Sequence, residues 1–304
     1  MAFKIPTGYE RFANEVFARF RNLLDKNVFS GITKLTLREW ESNFATDEER
    51  YLAAHLLDAL IFRTDPMVAS TSQHVVEMVL PKILIEQRLY ASSTIDAFVE
   101  ALGNGDTALG LRFVAVDGNL LASVPGKSGA LLIRHFSRAA NIHKNLLLRP
   151  ENMVQLQDDV RVLVFLDDCV GTGRQFGKFS RVYKLAELSE RYTLIYIPFV
   201  AHHTGLNDLN QKYPFLHITP VEVLGPQSDF FAECPSSPGI WVRDRSNTVA
   251  EIKAFYSALM RRRGVTRSTN FGLNLSLGFS FSTPNNTLKA YFSDQGTWKR
   301  LLVR

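Results

Sequence analysis

Val162-Leu163-Val164-Phe165-Leu166-Asp167-Asp168-Cys169-Val170-Gly171-Thr172-Gly173-Arg174-Gln175-Phe176 is the stretch that decides the fold. Val162 to Leu166 is a nearly continuous apolar run, the mark of a strand buried on both faces inside a parallel sheet. It delivers two carboxylates, Asp167 and Asp168, to its C-terminal end, and a Gly-flanked turn then leads into a helix. In open α/β sheets ligands bind at that edge. The turn exposes backbone N–H groups, which together with the helix N-terminus make an anion site. Thr172 adds a hydroxyl donor, and Gly171 and Gly173 allow close backbone approach. Two carboxylates beside a phosphate cradle would repel the phosphate unless they bind something else. Ribose hydroxyls and Mg²⁺ are the natural candidates. The plainer alternative is a generic strand-turn-helix with an acidic helix start.

The flanks repeat the pattern. Leu111 to Val116 is a short apolar run ended by Asp117-Gly118, followed by a helix from about Gly129 to Ala140. A helix from Phe176 to Arg191, a strand over Leu194–Val200, a short helix near Leu206 to Gln211 and a strand near Leu216 to Val223 continue the series. This alternation predicts an α/β fold, a parallel sheet flanked by helices. Residues 8 to about 102 read as helical: Phe12, Val16, Phe17, Phe20, Leu23 and Leu24 recur at helical spacing. Thr46 with Glu49 has the form of a capping box. Pro81, inside the apolar stretch Val75 to Leu84, predicts a kink or two pieces. Past Pro226 only Thr248 to Arg263 reads as helix, and the tail from Phe271 is rich in Gly, Ser, Asn and Phe. The division along the chain is 1–102, a helical N-terminal region; 103–230, the α/β core; and 231–304, a helix and irregular tail packed on that core.

Composition bounds the function. The 304 residues, 46% hydrophobic and 21% charged, are ordinary for a globular protein with ample core. A formal charge of +5 suits anionic partners without singling one out. Two cysteines, Cys169 and Cys234, cannot build a disulfide framework or a metal cluster. Without a signal-like N-terminus or an apolar run of about 18 residues, the expectation is a cytoplasmic protein with no membrane partner.

The central stretch resembles the PRPP-binding motif of type I phosphoribosyltransferases: an apolar strand, two acids, two variable residues, then a small Thr/Gly loop. The resemblance implies that Asp167 and Asp168 hold the ribose hydroxyls, with Mg²⁺ beside them, and that Gly171, Thr172 and Gly173 wrap the 5′-phosphate. Where that family's loop continues with a Gly and a hydroxyl residue, this chain has Arg174 and Gln175, so either a charged phosphate contact or a blocked pocket follows. A wider likeness is carried by Trp40-Glu41-Ser42-Asn43-Phe44, Ser128-Gly129, the Phe165-Leu166-Asp167-Asp168 core and Thr283-Pro284-Asn285-Asn286-Thr287. On these the chain is similar to the conflict-element branch of phosphoribosyltransferase-like proteins, found among bacterial anti-phage and mobile-element loci. That implies a PRPP or nucleotide ligand, partner proteins of a defence locus and, if the chain is active, pentosyl transfer or glycosidic hydrolysis at the ribose anomeric carbon. An inactive nucleotide sensor and a nucleic-acid-binding module are the rivals.

Other constellations are weaker. Gly126-Lys127-Ser128-Gly129 fails the P-loop spacing, because Leu121 stands where a Gly is needed. In the fold implied above, Lys127, Ser128 and the Gly129 N–H would approach a pyrophosphate; an ordinary capped helix start explains them equally. The polar segment Asn141 to Asp159 reads as a solvated connector. Of His202 and His203, adjacent on a strand and so pointing to opposite faces, at most one faces inward, and a surface pair is the expected reading over a metal ligand. Arg261-Arg262-Arg263 complements a helix C-terminus, with nucleic-acid binding as the minor reading, and Cys169 reads as a small buried filler.

Overall fold

The computed structural model describes residues 3–90, 92–116, 128–156, 158–233, 239–266 and 272–304. The chain divides into two compact units, Met1–Asp65 with Gly225–Arg304, and Pro66–Leu224. Compactness therefore joins the two ends of the chain, whereas the division read from the sequence runs along it.

The first unit opens with α1 (Tyr9–Asp25), α2 (Lys34–Glu41) and α3 (Asp47–Ala59). On α1 the buried residues are Ala13, Val16, Phe17 and Phe20, one stripe at helical spacing. Thr33 and Thr46 cap the next two helices through their hydroxyls. The box expected at Thr46 is half made: its hydroxyl accepts the Glu49 N–H, but the Glu49 carboxylate takes the Ala45 N–H, at 2.7 Å, one residue too early. A strand that the helical reading of 8–102 did not contain, β1 (Ile61–Arg63), follows.

The second unit begins with α4 (Asp65–His74), a π-helical turn (Val75–Val79) and α5 (Leu80–Glu86). Pro81 has no N–H to give and sits at the start of α5, so the ladder widens ahead of it, with Leu80 N–H reaching back to Val75 O. The predicted break is thus a π-bulge. Then come α6 (Ile95–Asn104), β2 (Leu111–Ala115), α7 (Ser128–Ala139) and β3 (Leu147–Leu148). After β4 (Val162–Val170) follow α8 (Arg174–Val182), α9 (Leu185–Leu188), β5 (Thr193–His202), α10 (His203–Lys212), β6 (Leu216–Ile218) and β7 (Glu222–Leu224). The strands form one sheet in the order β3-β2-β4-β5-β6, with β7 also on β5, and every pair is parallel. This is the expected α/β architecture.

Three boundaries differ, each for a local reason. The helix read over Phe176–Arg191 breaks at Lys184, which takes a left-handed conformation (φ 50°) between α8 and α9. The strand read over Leu216–Val223 is two strands, β6 on Leu194–Tyr196 and β7 on Val200–His202. The interruption faces Pro198, which has no N–H to offer a neighbour there. The 141–159 connector includes the edge strand β3 and buries Leu146 and Met153, so it is more structural than its polarity suggests.

Returning to the first unit, α11 (Val249–Arg262) carries a complete capping box between Thr248 and Glu251. In β8 (Leu277–Phe279) the strand pairs in parallel with β1, and α12 (Lys289–Phe292) is a single turn. The C-terminal segment is core-forming: Leu288, Tyr291, Trp298, Leu301 and Leu302 pack in one cluster with Phe17, Trp40, Leu56 and Tyr256. The Trp40 and Trp298 indoles both donate to Ala290 O, at 2.7 and 3.0 Å. Among the described residues no helix is long and apolar enough to cross a membrane.

Candidate functional site

The strand expected to stop at Leu166 continues to Val170, so Asp167 and Asp168 lie within it and are buried, at 1% and 5% exposure. Asp167 points to the α8 side of the sheet. Its Oδ2 accepts the Tyr196 O–H at 2.7 Å, and the Tyr196 ring stacks on Phe176 of α8 at 4.2 Å. Its Oδ1 is buried with no hydrogen-bond partner among the described residues. Burial above all, then the charge of Asp168, pushes the Asp167 carboxyl well above the ordinary range, against the lowering effect of the Tyr196 O–H. Asp168 Oδ1 accepts the Cys169 N–H at 2.8 Å.

Beyond the acids, Gly173 takes φ +74°, a left-handed conformation that favours glycine, and serves as N-cap of α8 without a side-chain hydrogen bond. The cap therefore brings no side chain over the first turn of α8, the end of a helix where backbone N–H groups point outward. The turn is braced from behind by α10: a Cβ added at Gly205 would lie 2.2 Å from Gly171 O, and one added at Gly173 would lie 3.1 Å from Leu209. Thr172 is half-buried, and Arg174 and Gln175 are exposed on the first turn of α8.

Other predicted residues fall as follows. Lys127 lies outside the described residues. Ser128 opens α7 and Gly129 is buried in its first turn, following β2, whose Ala115 is in register with Leu166 of β4. The surface-pair reading is corrected by burial: His202 is turned inward, 3% exposed, and His203 is half-buried. The strand register ends Val170↔Ala201, which sets His202 beside Gly171. Its Nδ1 accepts the Thr204 N–H, so Nε2 carries the ring proton, buried and without a partner among the described residues. Burial, then His203, lowers this imidazole to about 4. Cys169 is half-buried, more exposed than a buried filler, and its thiol is raised by desolvation, then by Asp168, Asp167 and Glu222, which does not suit a thiolate nucleophile.

Sequence reasoning missed Tyr196, Gly205 and Glu222. Glu222 sits on β7 in register with Val200, itself opposite Cys169, adding a third carboxylate to this edge. Its signal, an acid inside an apolar run, was present but looked like strand alternation. Among the described residues no three His, Cys, Asp or Glu side chains converge as a metal site by themselves. The motifs that carried the wider likeness outside the sheet are architectural. Asn43 of the Trp40–Phe44 stretch bonds Lys299 through both its amide atoms, at 2.8 and 2.9 Å, and Thr287 donates to Leu277 O. Two of the three arginines ending α11 are also consumed: Arg262 pairs with Glu49 at 2.7 Å and Arg263 donates to Asn43 O.

A sequence model of the family described as PRTase-CE matches residues 37–304. No curated protein matches the chain.

Proposed function

The chain belongs to the PRTase-CE family, a phosphoribosyltransferase-like protein, and from that premise we propose that its α/β unit binds PRPP or a related nucleotide at the β4–α8 turn. The observation that carries this is the left-handed glycine turn at Gly173 feeding α8 directly after two buried carboxylates. The first-turn N–H groups and the Thr172 hydroxyl take the 5′-phosphate, and Asp167 and Asp168 take the ribose hydroxyls. A neutral Asp167 is both donor and acceptor, which matches a hydroxyl partner. Tyr196 fixes its carboxyl plane.

The donor set fits Mg²⁺ in the manner usual for that ion, one or two carboxylates with the ligand's own phosphate oxygens completing the shell. Asp168 and, once ionised, Asp167 are the residues that would hold it. Asp167 Oδ1, buried without a hydrogen-bond partner among the described residues, is the atom that would face the ion. Bound there, Mg²⁺ would neutralise charge between carboxylates and phosphates. If the unit turns its ligand over, the bond at risk is the one at the ribose anomeric carbon, and the setting is bacterial anti-phage defence, with partner proteins of such a locus. A sensor that binds without chemistry is the second reading. Arg174 and Gln175 favour it, because both stand exposed at the turn where the transferase motif has small residues.

Calorimetry with PRPP and Mg²⁺ tests the site. Thr172→Ala and Asp168→Asn are expected to weaken binding at least tenfold without unfolding the protein, the loss of one to two charge-assisted contacts. Unchanged affinity in both variants would remove the site. Tight binding with no pyrophosphate release in the presence of any acceptor tried would leave the sensor and sink the enzyme.

A further inference from the structure

The C-terminal segment of the first unit forms an open polar pocket of about 200 Å³. Three cations, Lys289, Arg300 and Arg304, border it against one carboxylate, Asp294. Two of the cations are held in place. The Lys289 ammonium donates to Thr266 O at 2.9 Å. Arg304 donates to Asn285 Oδ1, and its guanidinium lies over the Phe292 ring, 5.0 Å from the centroid.

The neutral residues of the lining are donors as well. Gln295 Oε1 already accepts the Thr266 N–H and O–H, at 3.1 and 3.2 Å, which leaves the amide –NH₂ to present. Ser293 Oγ accepts the Gln295 N–H at 3.3 Å, which leaves its O–H to donate. A concavity whose polar groups are donors apart from one carboxylate, and whose charge is net positive, is matched by an anion with several acceptor oxygens. At about 200 Å³, against roughly 30 Å³ per water, it has room for more than a single small ion.

We propose that this pocket is a second anion site, one that takes the diphosphate or polyphosphate portion of a small phosphorylated ligand. The site is a pocket open to solvent, with its cations gathered within one short segment, 289–304. The neighbouring arginines that would extend it into a nucleic-acid track, Arg262 and Arg263, are spent on Glu49 and Asn43 O. Those features favour a small anion over a strand of nucleic acid.

Hydrogen exchange read by mass spectrometry on the full chain, with inorganic pyrophosphate as probe, locates binding by segment. Pyrophosphate is expected to slow exchange across 289–304. Arg300→Glu should abolish that protection and weaken affinity at that segment at least tenfold, with Arg300→Gln intermediate; Arg300 is exposed, so neither change disturbs the core. Protection over 166–176 reports on the β4–α8 turn separately, so the two sites stand or fall apart. No slowing across 289–304, or unchanged affinity there in Arg300→Glu, overturns the proposal. Protection of 289–304 by single-stranded DNA at low salt but not by pyrophosphate overturns it in favour of nucleic acid.

Discussion

Asp167 lies in an environment far from the one its residue type usually occupies. A carboxylate usually ionises near 3.8, but this one is buried among Tyr196, Phe176 and Asp168 and holds its proton to higher pH. Between those two pH values the folded chain binds more protons than the unfolded one, so stability present in acid is lost as pH rises through the folded value. Asn in its place keeps an oxygen for the Tyr196 O–H and never ionises. Asp167→Asn is therefore expected to hold its stability where wild type declines, read as urea unfolding midpoints from pH 4 to 8. Superimposable profiles would show that Asp167 ionises normally in the fold.

At the scale of elements, the β4–α8 turn owes its shape to α10. Alanine normally stabilises a helix interior by about 1 kcal/mol over glycine. At Gly205 the sign reverses, because the added Cβ would fall 2.2 Å from Gly171 O, a backbone atom that cannot swing aside as a flexible side chain would. Gly205→Ala is expected to cost about 1–3 kcal/mol and to weaken ligand binding by moving the turn, although it touches no ligand. Thermal unfolding and calorimetry on one preparation check both; a neutral or stabilising change would mean that α10 does not brace the loop. The π-bulge ahead of Pro81 and the gap between β6 and β7 at Pro198 follow the same logic: each proline removes one donor and the neighbouring element rearranges around the loss.

In the molecule as a whole, each compact unit buries one histidine that stays neutral. His202 belongs to the α/β unit. His55 of the first unit is stacked on Trp241 at 3.9 Å and packed against Phe12 and Tyr51, both ring nitrogens without a partner among the described residues. Burial lowers its value from 6.5 to about 4. The unfolded chain protonates first as pH falls, so stability present above about 6.5 is lost on the way to about 4, by up to roughly 3 kcal/mol for such a group. His55→Phe, which keeps the stack, is expected to gain more over wild type at pH 5 than at pH 7.5 in urea denaturation. An equal gain at both would assign the acid sensitivity elsewhere.

The sequence by itself determined the parallel α/β sheet, the acid pair and the Gly171–Gly173 turn, because buried strands and phosphate-shaped turns need those residue types at consecutive positions. Helix stripes and caps were legible for the same reason, apart from the Glu49 arm that reaches Ala45. Tertiary structure alone decided what long-range contact controls. It joined the C-terminal segment with the N-terminal helices in one core, through pairs such as Trp40 and Ala290 separated by 250 positions. It carried β4 past Leu166, because β5 offered partners as far as Ala201, and so buried the two acids. It also set Tyr196, His202 and Gly205 around the turn. Charge, protonation and shape at the site depend on those neighbours, which lie on other strands and helices and leave no local pattern to read.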